Sequence, residues 1–359
     1  MARAYTAMTT LVRDKIANTS TADFSVAEID RQFEESLKEL PNYEGFEHLV
    51  PVVFKIESRT GTASTASTDN LVDTPKGQFV AADATDEKVV HDITDDKRAV
   101  VLSFSSTAQI GLSADIFSED DQYRIYNKRC WNKRQIYIGD VVDYVGIHSV
   151  EYPIGQRRNW KILGNEVLEL EIEDGAIRDS NAGSTITRSP NVDVLVRFNK
   201  PHVLSQLTDL AGNIAASADV GATALSGSSL QAAGTIEVGE EFYVENHRTL
   251  YMVVAETTIA SNTAVISFFP GFEAKVPGTA TTFTFVKSSL LPHQEQDFAE
   301  LVAANLLYIK APKFYNSVDV GGVGVEQNFE SGAGRRLAAV RRKLTRQSKP
   351  KVSHTYSRE

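Results

Sequence analysis

Residues 24–41 read FSVAEIDRQFEESLKELP. Ser25 followed by Glu28 is a capping box, in which each side chain satisfies a free backbone N–H at a helix start. Ile29, Phe33, Leu37 and Leu40 recur at helical spacing, and Pro41 has no N–H with which to continue. A helix is predicted here. Upstream, Met8, Leu11, Val12 and Ile16 form a similar stripe over Tyr5–Ala17, so the start of the chain reads as an antiparallel helix hairpin. The far end has the same character. Pro292 opens a helix whose Glu295 and Asp297 suit the positive end of the dipole. Phe298, Leu301, Val302, Asn305, Leu306 and Ile309 follow at helical spacing, and Pro312 is expected to end it. Leu337, Val340 and Leu344 keep the period between arginines.

Between these ends the period shifts to two. Pro51–Glu57, Gln122–Tyr126, Arg134–Ile138, Asp140–Val150, Val167–Glu173 and Val192–Phe198 read as strands rich in Val, Ile and Tyr. Gly164 and Asn165 mark a tight turn. Two further stretches read as inserted β-modules. The first opens with the polar run Thr60–Asn70 and places short strands at Leu71–Asp73, Phe79, Val89-Val90, Ala99–Phe104 and Gln109–Leu112. The second opens with a Gly/Ala/Ser-rich lead-in from Gly212 and continues through Phe242–Val244, Tyr251–Ala255, Ala264–Phe268 and Thr281–Phe285. Their order is alike, a repeat of architecture rather than of sequence.

The expected fold class is α+β: a helical bundle from N- and C-terminal helices around a β-sheet core, with two inserted small β-barrel or sandwich modules. The expected parts are 1–59 (helix hairpin and first core strand), 60–121 (first module) and 122–210 (core β-region). They continue as 211–288 (second module), 289–334 (C-terminal core helix and hinge) and 335–359 (basic arm).

Charge is unevenly spread over the 359 residues. The net charge is −10, yet Arg335–Glu359 holds nine Lys/Arg against one Glu, a local +8 that leaves −18 on residues 1–334. An acidic body with a basic tail points that tail at an acidic partner surface or nucleic acid. No apolar run approaches the roughly 18 residues of a membrane span. The start of the chain has no signal-peptide anatomy. Cys130 is the only cysteine, which excludes an internal disulfide and any multi-cysteine metal site.

A catalytic constellation is missing from the sequence. There is no HExxH, GxxxxGK[ST], GxSxG or CxxC. Val320–Gly324 superficially suggests a dinucleotide loop, but the third glycine is lacking and a helix precedes it, so a hinge is expected. The histidines, His48, His91, His148, His202, His247, His293 and His354, show no pair at helical metal spacing. Asp115, Glu119, Asp120 and Asp121 lack the glycine and spaced ligands of a calcium loop and read as a solvated turn. Tyr123, Arg124, Tyr126, Lys128, Arg129, Trp131, Lys133, Arg134 and Tyr137 interleave cations with aromatics, a pattern that can stack bases and bind phosphates. An acidic body opposes that use. Strands with aromatics packed inward and cations facing outward are the stronger expectation.

Several segments, taken in order, resemble the head-to-tail adaptor (connector) proteins of tailed bacteriophages. They are Leu11–Ile16, Phe24–Arg31, Trp160–Leu170 and Leu291–Val302, followed by a C-terminal extension. Two further segments look like phage virion sequence: Gly61-Thr62-Ala63 through Tyr123-Arg124-Ile125, and Val238–Val244 through Phe269–Phe272. The resemblance spans most of the chain. It implies a non-catalytic, homo-oligomeric ring of twelve copies in the virion neck, between capsid and tail, with no cofactor. The partners it implies are the portal protein, a downstream tail or nozzle protein and, transiently, passing DNA, but no membrane. It also implies portal docking by the arm, mapped onto Arg335, Arg336, Arg341, Arg342, Lys343, Arg346, Lys349, Lys351 and Tyr356. Compact members of that family lack the two modules. Rival readings are another virion component, such as a tail nozzle or head-decorating protein, and a glycan hydrolase built on paired carboxylates.

Overall fold

A computed structural model describes residues 5–16, 23–57, 59–173, 177, 193–205, 207, 210–278, 281–315 and 323–347. The chain is mixed helix and sheet, and it divides into two compact units. One comprises residues 1–50, 143–146 and 198–359, the other 51–142 and 147–197. The helices are α1 (Tyr5–Ile16), α2 (Val26–Glu39), α3 (Ala82–Thr85), α4 (Pro292–Tyr315) and α5 (Val323–Gln347).

In the first unit, α1, α2, α4 and α5 share one apolar core. Phe298, Ala299, Leu301, Val302, Ala303, Ala304 and Leu306 are all buried, so α4 is apolar on nearly every side and the other three helices pack onto it. Phe33 of α2 lies 5.5 Å from the Phe298 ring and 5.3 Å, edge-on, from Tyr5 of α1. Leu337, Val340 and Leu344 bring α5 into the same core. The expected capping box is present: the Ser25 hydroxyl accepts from the Glu28 N–H at 3.3 Å, and the Ser25 N–H donates to Glu28 Oε2 at 3.0 Å. Ser25→Ala is therefore expected to cost about 1 kcal/mol, read as a lowered urea midpoint of the 222 nm helix signal.

Pro312 does not end α4, which runs on to Tyr315. The carbonyl that Pro312 leaves without its helical donor belongs to Tyr308, a residue about half exposed at 51%. Of the expected hinge, Val323 and Gly324 open α5, and residues 320–322 lie outside the described residues. The boundary drawn at Arg335 falls inside α5.

The same unit holds a closed six-stranded barrel. Its strands, in spatial order, are Ala211–Ile214, Ala224–Ser228, Ala264–Phe269, Leu250–Val253, Glu241–Val244 and Thr282–Phe285. Phe242 sits at its centre, with the rings of Tyr251, Phe268, Phe283 and Phe285 all within 6 Å. Gly212 and Gly227 leave room for Phe283, since a Cβ on either would lie 2.6 or 3.1 Å from its ring. The small-residue lead-in thus supplies two barrel strands. Ala233–Ile236 and Thr257–Ala260 pair separately as a ribbon.

The second unit contains another six-stranded sheet, ordered Thr60–Thr62, Gln122–Tyr126, Val89–Asp92, Lys97–Ser106, Gln109–Leu112 and Asn70–Val72. The Ser64 N–H donates to the Val72 carbonyl, curling this sheet into a half-barrel around Phe79, Val90, Val101, Ile110, Tyr123 and Ile125. Gln122–Tyr126 belongs inside this sheet, so the expected module boundary at 121 cuts off a strand that completes it. The reason is pairing: Thr60–Thr62 and Val89–Asp92 flank Gln122–Tyr126 on its two sides. A three-stranded sheet joins Trp160–Leu163, Val167–Leu170 and Gln135–Tyr137, with Gly164 and Asn165 both at positive φ in its turn.

Candidate functional site

The basic end of the chain was the expected contact site, and α5 carries the described part of it. The fold fixes this helix by burying Leu337, Val340 and Leu344, which points the intervening cations outward or along the neighbouring helices. Three of these cations hold their own chain together. Arg341 binds Glu39 of α2 through both carboxylate oxygens, at 2.8 and 3.1 Å. Lys343 reaches Asp297 at 2.8 Å and Glu300 at 3.0 Å on α4. Arg336 donates to the Lys15 carbonyl at the end of α1.

These bonds shift the charges involved. The Asp297 and Glu300 carboxylates raise the Lys343 pKa, and Glu39 raises that of Arg341. Burial pushes Glu300 upward, but Lys343 and Lys15 outweigh it and hold its carboxyl below the usual range. Arg335 and Arg342 differ. Both are exposed and have no partner among the described residues, and at seven residues apart they share one helix face. The Arg346 side chain, Lys349, Lys351 and Tyr356 lie outside the described residues.

The interleaved basic and aromatic cluster of the second unit splits. Tyr123 turns inward, fully buried, donating to Asp73 and accepting from Gln78, each at 2.6 Å. Lys128 pairs with Glu87, Arg129 with Glu166 and Arg134 with Glu169, so carboxylates neutralise most of the cations. Lys133 donates to the Ile177 carbonyl, and Lys128 also lies over the Tyr137 ring. Trp131 is the exception at 58% exposed, with the Arg98 guanidinium 5.4 Å from its ring centre.

Among the described residues, no group of three or more His, Cys, Asp or Glu converges as a metal-ligand set. Asp121 is buried and accepts from the Ser118 N–H. Cys130 is buried, which pushes its thiol up to about 12 and makes it a poor nucleophile at neutral pH.

Three buried polar arrangements had no sequence signal. The first, in the second unit, is an ion network. Arg59, 2% exposed, grips Glu57 at 3.0 Å through two nitrogens and also binds Asp83 and the Gln78 carbonyl, while Lys88 reaches both carboxylates. The second, in the first unit, stacks His48 on His202 with ring centres 5.1 Å apart. His48 Nδ1 faces the Pro201 carbonyl, and His202 Nε2 faces that of Phe46, so each ring donates there. The third is Glu240, 4% exposed, whose Oε2 has no partner among the described residues. Residues brought together from 24 or 154 positions apart leave no periodic trace.

Comparison with protein-family models, with curated proteins and with solved structures finds no match in any of the three. No helix among the described residues is long and apolar enough to cross a membrane.

Proposed function

We propose that this chain is a virion structural protein, a head-to-tail adaptor that forms a ring on the portal and joins it to the tail while DNA passes. In this reading α1, α2, α4 and α5 are the bundle that meets the portal. The two β-modules are insertions that meet neighbouring copies or the next tail component. One observation carries it. Helices from the two ends of the chain share a single core, and the last of them presents Arg335 and Arg342 outward without a partner among the described residues. An arginine pair on one face suits bidentate, charge-assisted bonds to carboxylates of another chain. Lys349, Lys351 and Tyr356, further along the same basic segment, extend the docking surface. Arg336, Arg341 and Lys343 contribute indirectly, by seating α5.

The test mixes full-length protein with the portal of the same virion and measures stoichiometric co-sedimentation. Truncation at Gly334 would strip Leu337, Val340 and Leu344 from the core, so the informative variants are Arg335→Glu with Arg342→Glu and a chain ending at Gln347. The full chain is expected to co-sediment as a ring-sized complex, and the double charge reversal to lose it. Absence of binding by the full chain overturns the adaptor reading. Unchanged binding by both variants removes the basic surface from the interface.

A further inference from the structure

The outward face of the half-barrel carries a basic row that the adaptor reading does not use. On three adjacent strands, Arg124, His91 and Arg98 are direct cross-strand partners, with Thr60 next in line. At the usual spacing between paired strands the three span about 10 Å. Trp131 stands at the Arg98 end, exposed, with the guanidinium against its ring.

The row already holds an anion. The Asp96 carboxylate sits 2.8 Å from His91 Nε2 and 3.3 Å from an Arg98 terminal nitrogen. Its side chain is 78% exposed, so it can swing away. Behind it, His91 Nδ1 and Arg98 Nε are buried and have no hydrogen-bond partner among the described residues. The two residues are held on paired strands, and the exposed carboxylate bound to His91 Nε2 and the Arg98 terminal nitrogen stands at the hairpin tip.

We propose that this row is a binding surface for single-stranded nucleic acid, with Arg98 and Arg124 on successive phosphates and Trp131 stacking a base. Arg98 then lies between a phosphate and the stacked ring, which suits a guanidinium because it can donate at its edge while its face rests on an aromatic. An isolated carboxylate would use only the end that Asp96 occupies. A chain that repeats phosphate and base uses the whole row and the ring. Duplex DNA keeps its bases stacked inside and has none to offer Trp131. The acidic surroundings, with Asp95 and Asp96 at the hairpin tip, keep the interaction weak and dependent on salt. This inference stands independently of the adaptor reading.

The probe is a fluorescein-labelled oligothymidylate of fifteen nucleotides, titrated with the full-length chain at low salt and followed by anisotropy. A Kd on the order of 10⁻⁵ M is expected, with the association constant falling as salt rises at a log–log slope of about −1.4 for two phosphates. Trp131→Ala is expected to weaken binding roughly 10-fold through lost stacking. Arg98→Ala should weaken it by a similar factor, whereas Asp96→Asn should tighten it roughly 3-fold by removing the competing charge. All three positions are at least partly exposed, so the variants fold. In a Trp160→Phe background Trp131 is the sole tryptophan, and quenching of its emission on titration places the strand at this site.

Absence of binding at 50-fold higher protein concentration than that roughly 10⁻⁵ M Kd overturns the proposal. So does equal affinity of Trp131→Ala and the parent chain, or equal binding of a duplex of the same length. Loss of the oligonucleotide to an equal charge of polyglutamate would identify an acidic-peptide surface instead and also overturn it.

Discussion

Arg59→Ala is expected to lower the stability of the unit holding residues 51–142 and 147–197 by about 3–5 kcal/mol, the usual cost of stripping one partner from a buried ion network. Arg59 is 2% exposed and Asp83 fully buried, and the guanidinium makes charge-assisted bonds to Glu57, Asp83 and the Gln78 carbonyl at once. Without it, two carboxylates remain in a low-dielectric site with Lys88 as their only neighbouring cation in the network. The cost is that of the orphaned charges rather than of the arginine's own packing.

Two controls separate these causes. Arg59→Lys keeps the charge but loses the fork that spans both acids, so an intermediate loss is expected. Arg59→Met combined with Glu57→Gln removes one charge of each sign, leaves Lys88 paired with Asp83, and should recover most of the stability. Both tryptophans, Trp131 and Trp160, lie in this unit, so urea denaturation followed by tryptophan emission reports it alone. A loss below about 1 kcal/mol for Arg59→Ala, within the range of an exposed ion pair, would contradict the argument.

The acid limb follows the same network. Burial pushes the Glu57 carboxyl upward, but Lys88 and Arg59 outweigh it and hold its pKa at about 2, against 4.5 unperturbed. A depressed carboxylate contributes stability that is present above the unfolded pKa and is lost as pH falls from there through the folded one. In Arg59→Ala only Lys88 still opposes burial, so the folded pKa moves back toward the unfolded one and the loss on acidification is expected to be smaller and complete at higher pH.

The helices were readable because their signals are local. Ser25 and Glu28 cap within one turn, and Ile29 and Phe33 mark the buried stripe, along with the partly buried Leu37 that packs against it. Pro312 misled because a proline can kink a helix without ending it, and the turn before it, at Tyr308 and Ile309, is exposed. Barrel strands with large alternating residues, such as Phe242–Val244 and Thr282–Phe285, were equally clear. Ala211–Ile214 and Ala224–Ser228 were not, because small residues there accommodate Phe283 and erase the hydrophobic alternation on which a strand assignment depends. The cations of α5 were legible as a cluster, but not their division into those that tie the helix down and those that face solvent. That division depends on where Glu39, Asp297 and Glu300 stand on other helices.

Glu240→Gln is expected to stabilise the unit holding the helices and barrel by up to about 4 kcal/mol above pH 8, and to have little effect near pH 5. Burial raises the Glu240 pKa, Glu237's negative charge raises it further, and bonds from Ser205 and the Glu237 backbone only partly offset them, leaving it at about 8. A carboxyl raised in the folded state contributes stability that is complete below its unfolded value of 4.5 and lost as pH rises through 8. The glutamine has the same shape with no charge to bury. His202 works in the opposite direction. Burial, and then the neighbouring His48, lower its pKa to about 4 from 6.5, so stability is lost as pH falls through that interval.

The two slopes are of opposite sign and oppose each other between about pH 4.5 and 6.5, where His48, also lowered by burial, adds to the histidine side. The unit should be most stable near pH 6.5 and weaken toward pH 8. The four long helices among the described residues belong to this unit, and the 222 nm signal therefore reports it separately from tryptophan emission. In Glu240→Gln the share of the alkaline slope that this carboxyl carries is gone, and the loss between pH 6.5 and 8 should shrink accordingly. A variant that loses as much stability as the parent between pH 6.5 and 8 would show that another group, and not the buried Glu240 carboxyl, carries the alkaline slope.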